Sequence, residues 1–169
     1  MRTPEDTKAV QDALAAASPR WGSSWLMREA YEMGSRASAW REVISGLTWA
    51  LGSAEVRYSN VTVDGFDDDA VVRLRLFTDV HLIMADVAGD ESKRDTSITV
   101  IPLGRLNQVR LLRTPPLTAS ESGFTGPKRM RLALDFDGTP EPIYVGDEQT
   151  MTTSTALADY SETLLAHLR

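Results

Sequence analysis

An α+β fold is predicted: an antiparallel sheet region closed by a C-terminal helix and preceded by an N-terminal helical region. Three observations predict it. Between Val71 and Arg113 the apolar-rich segments VVRLRLFTDVHLIMADV, SITVIPL and LNQVRLLR follow one another across turn-forming or short polar connections. Apolar residues recur at helical spacings before Glu55 and alternate after it. Near the C-terminus, Leu157, Tyr160, Leu164 and Leu168 fall on one face of a helix over Ser154 to Leu168.

Residues 4 to 17 read as a first helix, with Pro4, Glu5 and Asp6 suited to its start and Val10, Ala13, Leu14 and Ala17 forming an apolar stripe. Ser18-Pro19 ends it. A second helical region follows Ser23-Ser24, carries Trp25, Met33, Trp40, Ile44, Leu47 and Leu51, permits a break near residue 35 and stops at Gly52-Ser53. Trp25, Trp40 and Trp49, with Trp21 just before them, are expected to pack these helices on the sheet. The alternative is a dimer or partner surface.

From Glu55 the chain alternates, with Val56 and Tyr58 out of phase with Val61 and Val63, so a bulge is expected near Asn60. Asp64-Gly65 and Asp67-Asp68-Asp69 make a turn, after which Val72, Leu74 and Leu76 point inward and Arg73 and Arg75 outward. Thr78-Asp79 turns into HLIMADVAG; GDESKRDT is a hairpin loop; Ile98 to Ile101 form a strand ended by Pro102, and Leu106 to Arg113 resume the sheet. Residues 114 to 128 form a long Pro-, Gly- and Ser-rich loop holding Phe124, and RMRLALDFDG with PIYVGDE forms a final hairpin.

The strand-turn-strand around Thr78-Asp79, the run ITVIPLGRLNQV and the terminal helix together resemble a pleckstrin-homology-like (PH-like) or GRAM-type domain over residues 55 to 169. The resemblance implies a bent antiparallel β-barrel or sandwich capped by the C-terminal helix, with 1–54 as a helical extension and the 157/160/164/168 stripe plugging one open end.

Composition narrows the chemistry. With no cysteine and only His81 and His167, the chain has neither a thiolate nucleophile nor the donors of a cysteine zinc site, and no catalytic residue, cofactor or metal is expected. A net charge of −6 disfavours an extended nucleic-acid surface. Fifteen of the eighteen basic residues are arginine, a bias given no functional weight. Glu5, Asp6, Lys8 and Asp12 interrupt any signal-peptide core, and no uncharged run approaches the ~20 residues of a membrane span, so a cytoplasmic protein without an integral membrane segment is expected.

Four groups could carry chemistry. Asp135-Phe136-Asp137-Gly138-Thr139 after Leu132-Ala133-Leu134 resembles the start of a magnesium-dependent haloacid-dehalogenase-type phosphatase, in which the first aspartate attacks phosphorus and the second is the acid/base. That fold needs further parallel strands bringing a lysine, and no lysine follows; Asp137-Gly138 reads instead as a hairpin turn. Asp64, Asp67, Asp68 and Asp69 lack the alternate spacing of a calcium loop and read as a solvated acidic turn. Arg73-Leu74-Arg75 matches the basic-x-Arg pair with which the resembled domains hold phosphoinositides. The preceding strand has no lysine, however, and Asp67 to Asp69 would repel the headgroup, so pairing of both arginines with carboxylates across the sheet is expected. Finally, Arg110, Arg113, Lys128, Arg129 and Arg131 are expected to gather at one end, where the two strands and the long loop with Phe124 meet, as a surface for an acidic partner.

The expected function is a non-catalytic protein-interaction or scaffold module, with a protein partner at Arg110, Arg113, Phe124, Lys128, Arg129 and Arg131. The alternative is an anionic lipid headgroup or small ligand at Arg73 and Arg75, and the phosphatase stands third. Self-association into a homo-oligomer stays open.

Overall fold

Strict alternation in VVRLRLF makes a strand that buries Val72, Leu74 and Leu76 on one face and leaves Arg73 and Arg75 on the other. Around it the chain, a computed structural model describing residues 4–17, 34–64, 71–88, 97–113, 130–146 and 151–168, builds two antiparallel sheets. The first has the order β1 (Tyr58–Asp64), β2 (Val71–Phe77), β3 (His81–Ala88), β4 (Ile98–Pro102). A single 3-10 turn, Leu103–Arg105, leads to the second, ordered β5 (Leu106–Arg113), β6 (Arg131–Phe136), β7 (Ile143–Val145). Helices α1 (Pro4–Ala17) and α2 (Gly34–Leu51) precede the sheets and α3 (Met151–Ala166) follows them. The expected barrel or sandwich with a C-terminal helix is realised, among the described residues, as two separately hydrogen-bonded antiparallel sheets followed by a helix.

The residues group by their internal packing into two units, Met1–Pro102 and Leu103–Arg169. In the first, Val10 and Leu14 of α1 and Val43, Ile44, Leu47 and Leu51 of α2 enclose a core with Val61, Val72, Leu74, Leu76, Ile83, Ala85 and Val87. The helices therefore cover the face of the first sheet that the alternation marks as apolar. α1 lies against β1, where the Ser59 hydroxyl donates to the Ala13 carbonyl at 2.8 Å. α2 lies over β3 and β4 and approaches so closely at Gly46 that an added Cβ would come within 2.8 Å of Ile98 Cγ1.

The bulge expected near Asn60 is absent: β1 pairs with β2 in unbroken register from Tyr58↔Phe77 to Asp64↔Val71. The phase slip has another cause. Tyr58 belongs to a buried row, Tyr58, Phe77, Leu82 and Ile101, on the opposite face from Val61, so β1 buries apolar residues on both sides. The Tyr58 and Phe77 rings stack at 5.6 Å, tilted by 42°.

In the second unit, Leu132, Leu134, Phe136 and Val145 are buried, as are Leu157, Tyr160 and Leu164 on α3. Leu168, the fourth residue of the expected stripe, is 37% exposed because the helix ends at Ala166. Trp49 also departs from its expected packing role: it is 67% exposed on α2, while Val43, Ile44 and Leu47 make the contact with the sheet. Trp21, Trp25 and the side chain of Trp40 lie outside the described residues.

Candidate functional site

The two arginine groups singled out in the sequence meet different surroundings. Arg73 stands opposite Asp86 in the β2–β3 ladder and Arg75 opposite Met84, so both guanidinium groups share a face with the Asp86 carboxylate. Arg75 Nη1 lies 2.7 Å from Asp86 Oδ1 and also donates to the Ala85 and Leu74 carbonyls, while Arg73 Nε lies 3.7 Å from Asp86 Oδ2. One carboxylate thus serves both arginines, and the Arg75 side chain, 12% exposed, is held along its length. Pairing across the sheet is what the alternation predicted. The loop residues are Asp79 and Val80, flanked by Thr78 and His81, one residue later than the Thr78-Asp79 turn expected, and this register sets Asp86 and not Met84 opposite Arg73.

The Thr78 turn owes its tightness to one hydroxyl. The Thr78 N–H donates to the His81 carbonyl at 2.9 Å, and the His81 N–H donates back to Thr78 Oγ1 at 2.9 Å. His81 is thereby a turn residue at the start of β3.

On the second sheet the ladder places Arg113 opposite Arg131, and Arg110 opposite Ala133, which in turn stands opposite Tyr144. These side chains therefore share the face turned away from Leu132 and Leu134, and the register shift between Leu111 and Arg113 is what brings Arg113 onto it. Arg110 Nε lies 3.1 Å from Asp135 Oδ2, and the Arg131 guanidinium stacks 5.2 Å above the Tyr144 ring. Three of the expected partner residues, Arg110, Arg113 and Arg131, thus come together. Phe124, Lys128 and Arg129 lie outside the described residues, as do Asp67, Asp68 and Asp69. Tyr144 was not singled out in the sequence, although PIYVG puts it on the outward phase.

The D-x-D-G-T segment is a hairpin. β6 and β7 run antiparallel, Gly138 takes φ 81°, and its missing Cβ makes room for the Arg105 guanidinium. Arg105 donates to the Asp137 carbonyl, Asn107 to the Asp137 carboxylate, and the Asp137 N–H to the Arg105 carbonyl at 2.9 Å. Both aspartates are thus engaged by β5 and its lead-in. Asp135→Asn should cost less than about 1 kcal/mol, because its partner is a partly exposed arginine. Magnesium-dependent phosphatase turnover that disappears in this variant would contradict the hairpin role. No group of three or more His, Asp or Glu side chains able to hold a metal occurs among the described residues. No described helix is long and apolar enough to cross a membrane.

No protein-family profile and no curated protein matches the chain. Among solved structures it is similar to a DUF1696 family protein with a pleckstrin-homology domain from Shewanella loihica PV-4, at 13% identity and a TM-score of 0.42, covering 76% of this chain and 92% of that one. It is also similar to a pleckstrin-homology domain from Shewanella amazonensis SB2B, at 17% identity and a TM-score of 0.37, covering 86% and 97%.

Proposed function

We propose that the chain is a non-catalytic protein-interaction module whose second sheet receives an acidic segment of a partner protein. The observation that carries this reading is Arg113 set directly opposite Arg131. Like charges across an antiparallel pair repel, and an acidic side chain seated between them turns the repulsion into two charge-assisted contacts. Arg110 lies on the same face with its charge shared by Asp135, and Tyr144 fixes the plane of Arg131 before the partner arrives. Phe124, Lys128 and Arg129 lie between β5 and β6 in sequence, outside the described residues.

The alternative, an anionic headgroup at Arg73 and Arg75, would have to displace Asp86 from both guanidinium groups. The test is titration of the full chain with a synthetic extended peptide alternating glutamate and threonine, against the same peptide with glutamine for glutamate. The glutamate peptide should bind, and Arg113→Glu should weaken it by about tenfold or more, a difference of about 1.4 kcal/mol. Rising salt should weaken it as well. Equal binding of the two peptides, or indifference to Arg113→Glu, removes the assignment. Saturable binding to phosphoinositide vesicles that is lost in Arg73→Ala puts the alternative in its place.

A further inference from the structure

The second sheet carries an acidic residue of its own on the arginine face, and the position of that residue decides how many cations the face offers. Along β6 the outward residues are Asp135, Ala133 and Arg131, which stand opposite Gln108, Arg110 and Arg113 of β5. Arg110 thus starts level with Ala133, midway between the carboxylate and the Arg113–Arg131 pair. It is drawn to the carboxylate: Nε lies 3.1 Å from Asp135 Oδ2 and Nη2 lies 3.4 Å from Oδ1, a two-point contact. Asp135 cannot serve the pair as well. Four residues along one strand separate it from Arg131, a span of about 13 Å at about 3.3 Å per residue.

The first sheet supplies the contrast. There one carboxylate, Asp86, stands directly opposite Arg73 and reaches both arginines of its face. On the second sheet Asp135 engages Arg110 and leaves the directly opposed Arg113 and Arg131 beyond its reach. The charge of the whole molecule acts in the same direction. At a net −6 the chain repels an acidic run, so each further carboxylate on a partner must find an arginine that is not already satisfied.

We infer that Asp135 is a positioning residue that sets the selectivity of this surface: by withholding Arg110 it favours a partner segment with a single acidic residue, flanked by neutral ones, over an acidic run. The inference rests on the reading of the surface as the receiver of an acidic segment. Outward positions of an extended partner repeat every two residues, about 7 Å, which is also the separation of the Ala133 and Arg131 positions on β6. A second glutamate two positions along the partner therefore comes level with Arg110. To use it, that glutamate must displace Asp135, and the exchange of one partly exposed carboxylate for another gains little.

Calorimetric titration of the full chain with two synthetic peptides is the test. One alternates threonine and glutamine with a single central glutamate; the other carries two glutamates two positions apart. In the wild type the second glutamate should tighten binding by no more than about twofold, the statistical gain of two registers. In Asp135→Asn it should tighten binding by about fivefold, because the released Arg110 adds an ion pair with the second carboxylate. The Asp135→Asn, Arg110→Gln double variant should return the ratio to its wild-type value, which a general change in surface charge would not do. A wild type that already gains as much as Asp135→Asn, or a gain that survives Arg110→Gln, overturns the role of Asp135 while the surface itself stands. Binding of neither peptide, or binding indifferent to Arg113→Glu, overturns the surface and this inference with it.

Discussion

Leu164→Ala is expected to lower the unfolding free energy by about 2–5 kcal/mol, the range for truncating a fully buried leucine. Leu164 has no exposed surface and sits on α3 with Leu157 and Tyr160, which are also buried, so the lost methyl groups leave a cavity that a helix cannot easily close. Its neighbour Leu165, 45% exposed, is the internal control: Leu165→Ala should stay within about 0.5 kcal/mol of the wild type. Urea denaturation of the two variants reads the difference directly. Equal midpoints would show that α3 does not dock by this face.

Leu14→Ala should cost a similar amount, about 2–5 kcal/mol, and it probes the other end of the chain. Leu14 is fully buried among Val10, Leu47 and the apolar face of the first sheet, which makes α1 part of that sheet's core and not an appendage. Lys8 and Asp12, 4.0 Å apart on the exposed side of α1 at i,i+4 spacing, contribute little by comparison. A Leu14→Ala variant that melts like Lys8→Ala would place the helix off the sheet.

Much of this was legible because the residues report their own surroundings through periodicity. α1 spans residues 4 to 17 and β5 spans Leu106 to Arg113, the limits predicted, since Pro4 and Ser18-Pro19 punctuate the one and the short Leu103–Arg105 connection opens the other. The β2–β3 hairpin was equally plain, and with it the pairing of Arg73 and Arg75 with a carboxylate. Two readings failed for one reason. The phase slip at Asn60 and the burial of Trp49 were both argued on the assumption that a segment has a single apolar face. β1 has two, and the described residues through which α2 meets the sheet, Val43, Ile44 and Leu47, are smaller than Trp49.

The sequence by itself determined the order and kind of the elements, the hairpin nature of Asp137-Gly138 and the outward phase of the arginines, because those depend on neighbours within a few residues. Only the tertiary structure decided that Arg113 faces Arg131 and that Asp86 answers both Arg73 and Arg75. Ladder register and ion pairing across a sheet depend on segments distant along the chain. A single register shift, such as the one between Leu111 and Arg113, moves a charge from one face of a sheet to the other without altering the pattern in which the residues are written.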